Sequence, residues 1–253
     1  PEVRHAASVD DLVRRVQGVV FSALSMINAW YIPRPPWEQI EPDLNRAGLA
    51  MDRRDEATTL VREALQLRRQ LMPYLYTAFA RYALDGIPPV RAMFLEAPED
   101  RRAWTCDAQY LFGPSLVVAP LRAGETSREV FLPAGRWHEW FGGAVHVGPT
   151  VVTLTDVSLA TIPVFVRDGT ILPLARVTET SGPWEIDPVV FGDGPATGEL
   201  YEDDGLTHGY RKPEARTWHR LAVDAGTDLR VTTTGTGAGR LFVLAETVRR
   251  PAR

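Results

Sequence analysis

Carboxylate pairs are the first place to look for chemistry in this sequence, since two acids whose surroundings hold their proton affinities apart can divide acid and base work. Asp203-Asp204 and Glu99-Asp100 are the adjacent pairs that tempt such a reading. Neighbouring residues on an extended segment point to opposite faces, and Asp-Asp-Gly after Glu202 is turn chemistry first, as is the acid pair after Pro98. Asp107 is expected to bond backbone, with calcium ligation the other use open to it. The five histidines show no ligand spacing. Cys106 is the sole cysteine, which excludes an internal disulfide or a cysteine zinc cluster; beside Trp104 it reads as a small hydrophobe. Neither a Gly-x-Ser-x-Gly elbow nor a phosphate-binding glycine loop occurs. No catalytic residue, metal site or cofactor is therefore assigned within the chain.

The elements that would position any site come next. At 253 residues, 45% apolar and 24% charged, the chain can build one or two domains with real cores. A net charge of −4 gives no electrostatic case for nucleic acid or an anionic membrane, and no apolar run approaches the roughly 20 residues of a membrane span. Lys212 is the only lysine; the paired arginines, such as Arg14-Arg15 and Arg68-Arg69, lie among acids and read as surface ion pairs. The chain opens on Pro1 with neither Met nor an apolar leader, so its N-terminus reads as cut and its compartment is not readable.

Three segments separate by composition. In residues 1–86, the run from Val19 to Trp30 is consistent with one buried strand. Apolar positions from Leu60 to Tyr82 recur at helical spacing, with Pro73 expected to kink or divide the helix and Asp85-Gly86 to stop it. Residues 87–173 switch to short period-two strands with Gly/Pro punctuation, as in a β-sandwich. Residues 174–253 add strand candidates at Val189–Phe191, Gly198–Glu202, Trp218–Val223, Leu229–Thr233 and Leu241–Ala245.

Several motifs stand in one order. They are Arg68-Arg69-Gln70-Leu71-Met72-Pro73-Tyr74-Leu75-Tyr76, Gly86-Ile87-Pro88-Pro89-Val90-Arg91, and Asp107 to Pro120 (DAQYLFGPSLVVAP). Then follow Glu129 to Gly143 (EVFLPAGRWHEWFGG), Ile162 to Gly169 (IPVFVRDG) and Leu200-Tyr201-Glu202-Asp203-Asp204-Gly205. Together they resemble the C-terminal portion of glycoside hydrolase family 31, the α-glucosidase and α-xylosidase family. The resemblance implies the end of a TIM (β/α)8 barrel in residues 1–86, a proximal β-sandwich in 87–173 and a distal β-sandwich in 174–253.

It also implies a retaining α-glycosidase acting on terminal α-linked sugars (glucoside, xyloside or galactoside), with two catalytic aspartates upstream of Pro1 and no activity in this chain alone. The partners implied are an oligosaccharide or α-glycoside substrate and the missing N-terminal part of the barrel. Family members carry Arg-x-His near the end of the eighth barrel strand. Fitting Arg14, Gln17, Phe21 and Ser22 to that strand puts Met26 and Asn28 at those places. Asn28, which can donate to one hydroxyl and accept from another, and Trp30, as a stacking surface, are the substrate-binding candidates; an Asx-turn is the ordinary local use of such an Asn. The alternative is a non-catalytic carbohydrate-binding sandwich, suggested by seven tryptophans. Against a binding platform, Trp137 and Trp140 sit three apart in one strand and cannot share a face.

Overall fold

The computed structural model of the chain describes residues 8–26, 51–176, 183–224, 228–235 and 242–245. The first element is a helix, α1 (Val9–Val20). Ser8 caps it, its Oγ accepting from the Asp11 amide at 3.1 Å, and Asp10 and Asp11 place negative charge at the positive helix end. Val9, Leu12, Val13, Val16 and Val20 follow the helical period and are all buried.

This corrects the strand expected from Val19 onward. Val19 and Val20 finish an amphipathic stripe that began ten residues earlier, and the described residues 21–26 hold no strand. Arg14 and Gln17, fitted above to a barrel strand, therefore lie in α1, and Phe21 and Ser22 follow it. Asn28 and Trp30 lie outside the described residues.

The next helical stretch is divided as its sequence predicts. α2 (Arg54–Gln70) ends at Leu71, and α3 (Met72–Asp85) begins with Pro73 in its first turn, where a missing N–H costs nothing. Gly86, at φ 76°, closes α3 in the left-handed conformation that a side chain would oppose.

Sheet one has the order β1-β2-β3-β6-β4-β5 and every neighbour is antiparallel. Its strands are β1 (Val90–Arg91), β2 (Tyr110–Phe112), β3 (Leu116–Val118), β4 (Arg128–Glu139), β5 (Val145–Leu154) and β6 (Val164–Arg167), with a short helix α4 (Arg101–Trp104) between the first two. Pro133-Ala134-Gly135, a proline-glycine pattern that in sequence reads as a strand end, is instead a bulge inside β4, where the register with β5 shifts between Leu132 and Gly135. The wholly buried Trp137 donates its indole N–H to the Pro133 carbonyl at 2.8 Å, satisfying a group that the bulge releases. Opposite, a Cβ on Gly148 would stand 1.9 Å from that same carbonyl oxygen, so the close approach needs glycine there.

The chain crosses to sheet two in two residues. Asp168 N donates to Arg136 O at 2.9 Å in sheet one, while Gly169 N donates to Phe191 O at 2.8 Å in sheet two. Sheet two has the order β11-β10-β9-β7-β8-β12. It is built from β7 (Thr170–Ala175), β8 (Trp184–Phe191), β9 (Ala196–Glu202), β10 (Thr217–Val223), β11 (Arg230–Gly235) and β12 (Phe242–Leu244). Each of the five strands expected after residue 174 is present. β7 already belongs to this sheet, so the change of sheet falls at Asp168-Gly169.

One core runs through the helices and both sheets. Residues of α1 and α2 pack with Phe112, Leu116, Val118, Val164 and Val166 of sheet one, and with Leu172, Leu174, Val189 and Phe191 of sheet two. The opposite face of sheet one closes over Leu111, Val117, Val130, Leu132, Trp137 and Phe165. Trp137 belongs to that second cluster and Trp140 packs on the first. The two rings thus fall on opposite sides, as their spacing requires.

Candidate functional site

The described structure leads up to the sequence candidates and stops at Met26, two residues short of Asn28. It shows how that approach is held. At the end of α1, where carbonyls lack helical partners, the Arg68 guanidinium from α2 donates to Val20 O at 2.8 Å, Ser22 O at 2.5 Å and Ala23 O at 3.4 Å. A cation at a helix C-terminus is also favoured by the helix dipole. Burial lowers the Arg68 pKa from its ordinary value. Ser22 Oγ lies within hydrogen-bond reach of Val19 O and Leu24 O. Phe21 is wholly buried edge-on to Phe112 (5.6 Å between centroids) and Trp140 (6.3 Å). Beyond these anchors Leu24 and Met26 are exposed.

Arg14 and Gln17, one helical turn apart, grip the loop before β6. Arg14 donates to Thr161 O at 2.8 Å, Ser158 O at 3.1 Å and the Gln17 side-chain oxygen at 2.8 Å, and Gln17 donates to Leu159 O at 2.6 Å. Both side chains are buried, and desolvation pulls the Arg14 pKa down. Among the described residues, backbone carbonyls and the Gln17 amide oxygen, rather than a carboxylate within ion-pair distance, offset the cost of burial.

α3 carries the second set of contacts. Tyr74 donates to Phe112 O at 3.0 Å and accepts from Ser115 N at 2.9 Å, and burial raises its pKa. A Cβ on Gly113, at φ 60°, would stand 2.3 Å from the Tyr74 hydroxyl, so the Gly-Pro-Ser turn is shaped around this ring. Tyr76 donates to Asp203 Oδ1 at 2.5 Å, and Tyr201 donates to Asp203 Oδ2 at 3.1 Å. Arg81 forms a two-pronged pair with Glu199 (2.6 and 2.7 Å from Nη2) and lies 4.2 Å above the Trp218 ring.

The acid pairs settle as turn and joint residues. Asp204 accepts from the amides of Leu206 and Thr207, and Asp203 accepts from Gly205 N besides its two tyrosines. Asp100 caps α4. Asp107 stands exposed, and the backbone pairing expected of it is made by Gln109 instead. The Gln109 amide donates to Phe131 O at 2.7 Å and accepts from Phe131 N at 2.8 Å, as a strand residue would. The thiol of Cys106 packs against the second core cluster, and burial raises its pKa. Among the described residues no group of three or more His, Cys, Asp or Glu side chains is placed to hold a metal, and no helix is long and apolar enough to cross a membrane.

Sequence reasoning missed the roles of Arg14, Gln17, Gln109 and Asp203. The signal for the first two was the Ser8 cap with acids in the first turn; the last two depend on contacts across the fold.

With this geometry in hand, three comparisons place the chain. The family model for the glycosyl hydrolase family 31 C-terminal domain matches residues 86–172. Neutral alpha-glucosidase C of Mus musculus is 34% identical over 165 residues, covering 62% of this chain and 18% of that protein. The alpha-xylosidase of Saccharolobus solfataricus is 28% identical over 218 residues, 84% of this chain and 27% of that one. Among solved structures, a Flavobacterium johnsoniae GH31 dextranase complexed with glucose superposes with a TM-score of 0.77 at 26% identity, over 93% of this chain and 29% of its own. The GH31 alpha-xylosidase of Xanthomonas citri gives a TM-score of 0.73 at 26% identity, over 94% and 26%. The chain thus spans less than a third of the length of each of these relatives. By these likenesses residues 86–172 belong to the glycosyl hydrolase family 31 C-terminal domain, and over most of its length the chain is similar to enzymes of that family.

Proposed function

We propose that this chain is the C-terminal part of a retaining α-glycosidase acting on terminal α-linked sugars of oligosaccharides, whether α-glucosides, α-xylosides or α-galactosides. The reading rests on one observation above others, the superposition on a family 31 dextranase over 93% of the chain. In this proposal residues 1–86 are the end of the catalytic barrel, residues 87–173 a proximal sandwich and residues 174–253 a distal one. α1, α2 and α3 would serve as outer helices of the barrel that also pack on both sheets.

Retaining hydrolysis uses two carboxyl groups about 5 Å apart, one as nucleophile and one as acid then base. The described adjacent acids are committed elsewhere, Asp203 to two tyrosines and Asp204 to a turn. Both catalytic aspartates are therefore assigned to sequence outside this chain, and the sandwiches to buttressing the barrel. Asn28 and Trp30 remain the proposed sugar contacts. The Arg68 clamp on residues 20–23 is the described feature that would fix the segment leading to them.

Two assays test the reading. The 253-residue chain alone should release no more aryl alcohol from aryl α-glycosides than a matched blank; turnover above that blank would overturn the placement of the catalytic pair. In an enzyme carrying this chain as its C-terminal part, Asn28→Ala should lower kcat/KM by roughly tenfold or more, the worth of a hydrogen bond or two to the substrate. An unchanged value would remove Asn28 from the site.

A further inference from the structure

We infer that the cleft between α3 and sheet two is a saccharide-binding site. The cleft holds about 550 Å³, within the usual range for small-molecule sites, which favour the joints between structural units. Strand register explains its lining. In β9, β10 and β11, Glu199, Arg220 and Thr232 are directly paired across neighbouring strands and so form one row on the face turned toward α3. Thr197 and Ala222 form the adjoining pair of the next row. Ala78 of α3 supplies apolar ground from the other side.

The row is prepared for a ligand in an uneven way. Glu199 is held rigidly by the Arg81 fork, and Arg81 is itself fixed by Asp85 at 2.8 Å and by its position over Trp218. Arg220, although directly opposite Glu199, has no carboxylate within ion-pair distance among the described residues, and it stands exposed at the mouth. A fixed acceptor, an unspent donor fork and two hydroxyls thus border a partly apolar floor.

That combination selects among ligand classes. A sugar hydroxyl both donates and accepts, and the C–H faces of a pyranose need apolar ground, so donors, acceptors and apolar surface are all used. An anion would find, among the described residues, one uncommitted cation in Arg220, since Arg81 is already committed to Glu199 and Asp85, and it would leave the Glu199 acceptor and the apolar floor unused. An apolar ligand would cover the Arg220 guanidinium without giving it a hydrogen-bond partner. The choice of a sugar rather than another polyol rests in part on the glycosidase reading above.

Titration of the 253-residue chain with maltose, isomaltose and inorganic phosphate, followed by calorimetry and ligand-observed NMR, tests the inference. One of the disaccharides should bind saturably at millimolar concentration. Arg220→Ala and Thr232→Val should each weaken it at least about fivefold, the loss of one or more hydrogen bonds, while Arg102→Ala on the far side of sheet one leaves it unchanged. Both test positions are exposed, and unchanged melting of the variants separates lost binding from lost folding. Absence of saturable disaccharide binding overturns the site, as does binding that ignores both substitutions, or phosphate binding more tightly than either sugar. Aryl α-glycoside hydrolysis by an enzyme carrying the chain is scored separately, so the glycosidase reading can stand when this site falls.

Discussion

Two of the joints that hold the helices to the sheets are built on different physics. Where α1 meets sheet one, a buried guanidinium and a buried amide, Arg14 and Gln17, are spent on the carbonyls of Ser158, Leu159 and Thr161. Where α3 meets sheet two, side chain meets side chain: Tyr76 with Asp203, and Arg81 with Glu199, both partners of the latter pair more than a third exposed. In the first joint the donors Arg14 and Gln17 are themselves buried, so their hydrogen bonds are little weakened by solvent. The second is partly solvated, so its ion pair is discounted by screening. Number of contacts is therefore a poor guide to which joint matters more to stability.

The comparison can be broken most forcefully at Phe21, which fills the core beside the first joint. Phe21→Ala should cost about 3–5 kcal/mol, the usual range for deleting a fully buried ring, as measured by urea denaturation. Arg14→Met should follow at about 2–3 kcal/mol, since it removes the hydrogen bonds that a buried, charged guanidinium makes to the Ser158 and Thr161 carbonyls, and the loss should be the same at low and high salt. Arg81→Met at the second joint should cost less than about 1 kcal/mol and lose most of that in high salt. Equal costs for the two arginines would dissolve the distinction between the joints.

A pH series sharpens the same contrast. Burial, then the hydrogen bond to Asp203, raises the Tyr76 pKa, and burial raises that of Tyr201. A group whose folded pKa is raised contributes stability that is complete below its unfolded value and is lost as pH climbs through the folded one. For tyrosine the window opens near the ordinary pKa of about 10. Through these tyrosines the melting temperature should thus be unchanged by pH around neutrality and fall above that point. Tyr76→Phe should make the alkaline fall shallower while costing about 1–2 kcal/mol at neutral pH, the price of one charge-assisted hydrogen bond. An unaltered alkaline slope would show that this contact carries none of the pH dependence.

Much of the fold was legible in the sequence wherever a local rule operated alone. Pro73 divided the helix, Gly86 ended it, and the five strands expected after residue 174 fell where alternation and turn residues put them. α1 was not, because the run after Val19 is apolar on both helical and extended readings; only the Ser8 cap and the spacing back to Val9 decide between them. The bulge at Pro133 to Gly135 looked like a strand end, since proline and glycine punctuate both. Of the site, the turn role of Asp203 and Asp204 was readable, whereas the tyrosines that claim Asp203 come from 127 and 2 residues away in the chain. A long-range partner leaves no periodic trace in sequence.

The crossing at Asp168-Gly169 has a mechanical consequence. Its backbone is tied to β4 through Arg136 O and to sheet two through Phe191 O and Thr197 N, and the Asp168 carboxylate is pinned by His138 at 2.6 Å. A Cβ on Gly192 would come within 2.7 Å of that carboxylate, which leaves little clearance on its other side. What looks in sequence like an ordinary surface turn has no slack to pay out. Force applied to draw the sheets apart would therefore bear on several of these hydrogen bonds together, and the crossing would act as a stiff crease between the sheets instead of a free hinge.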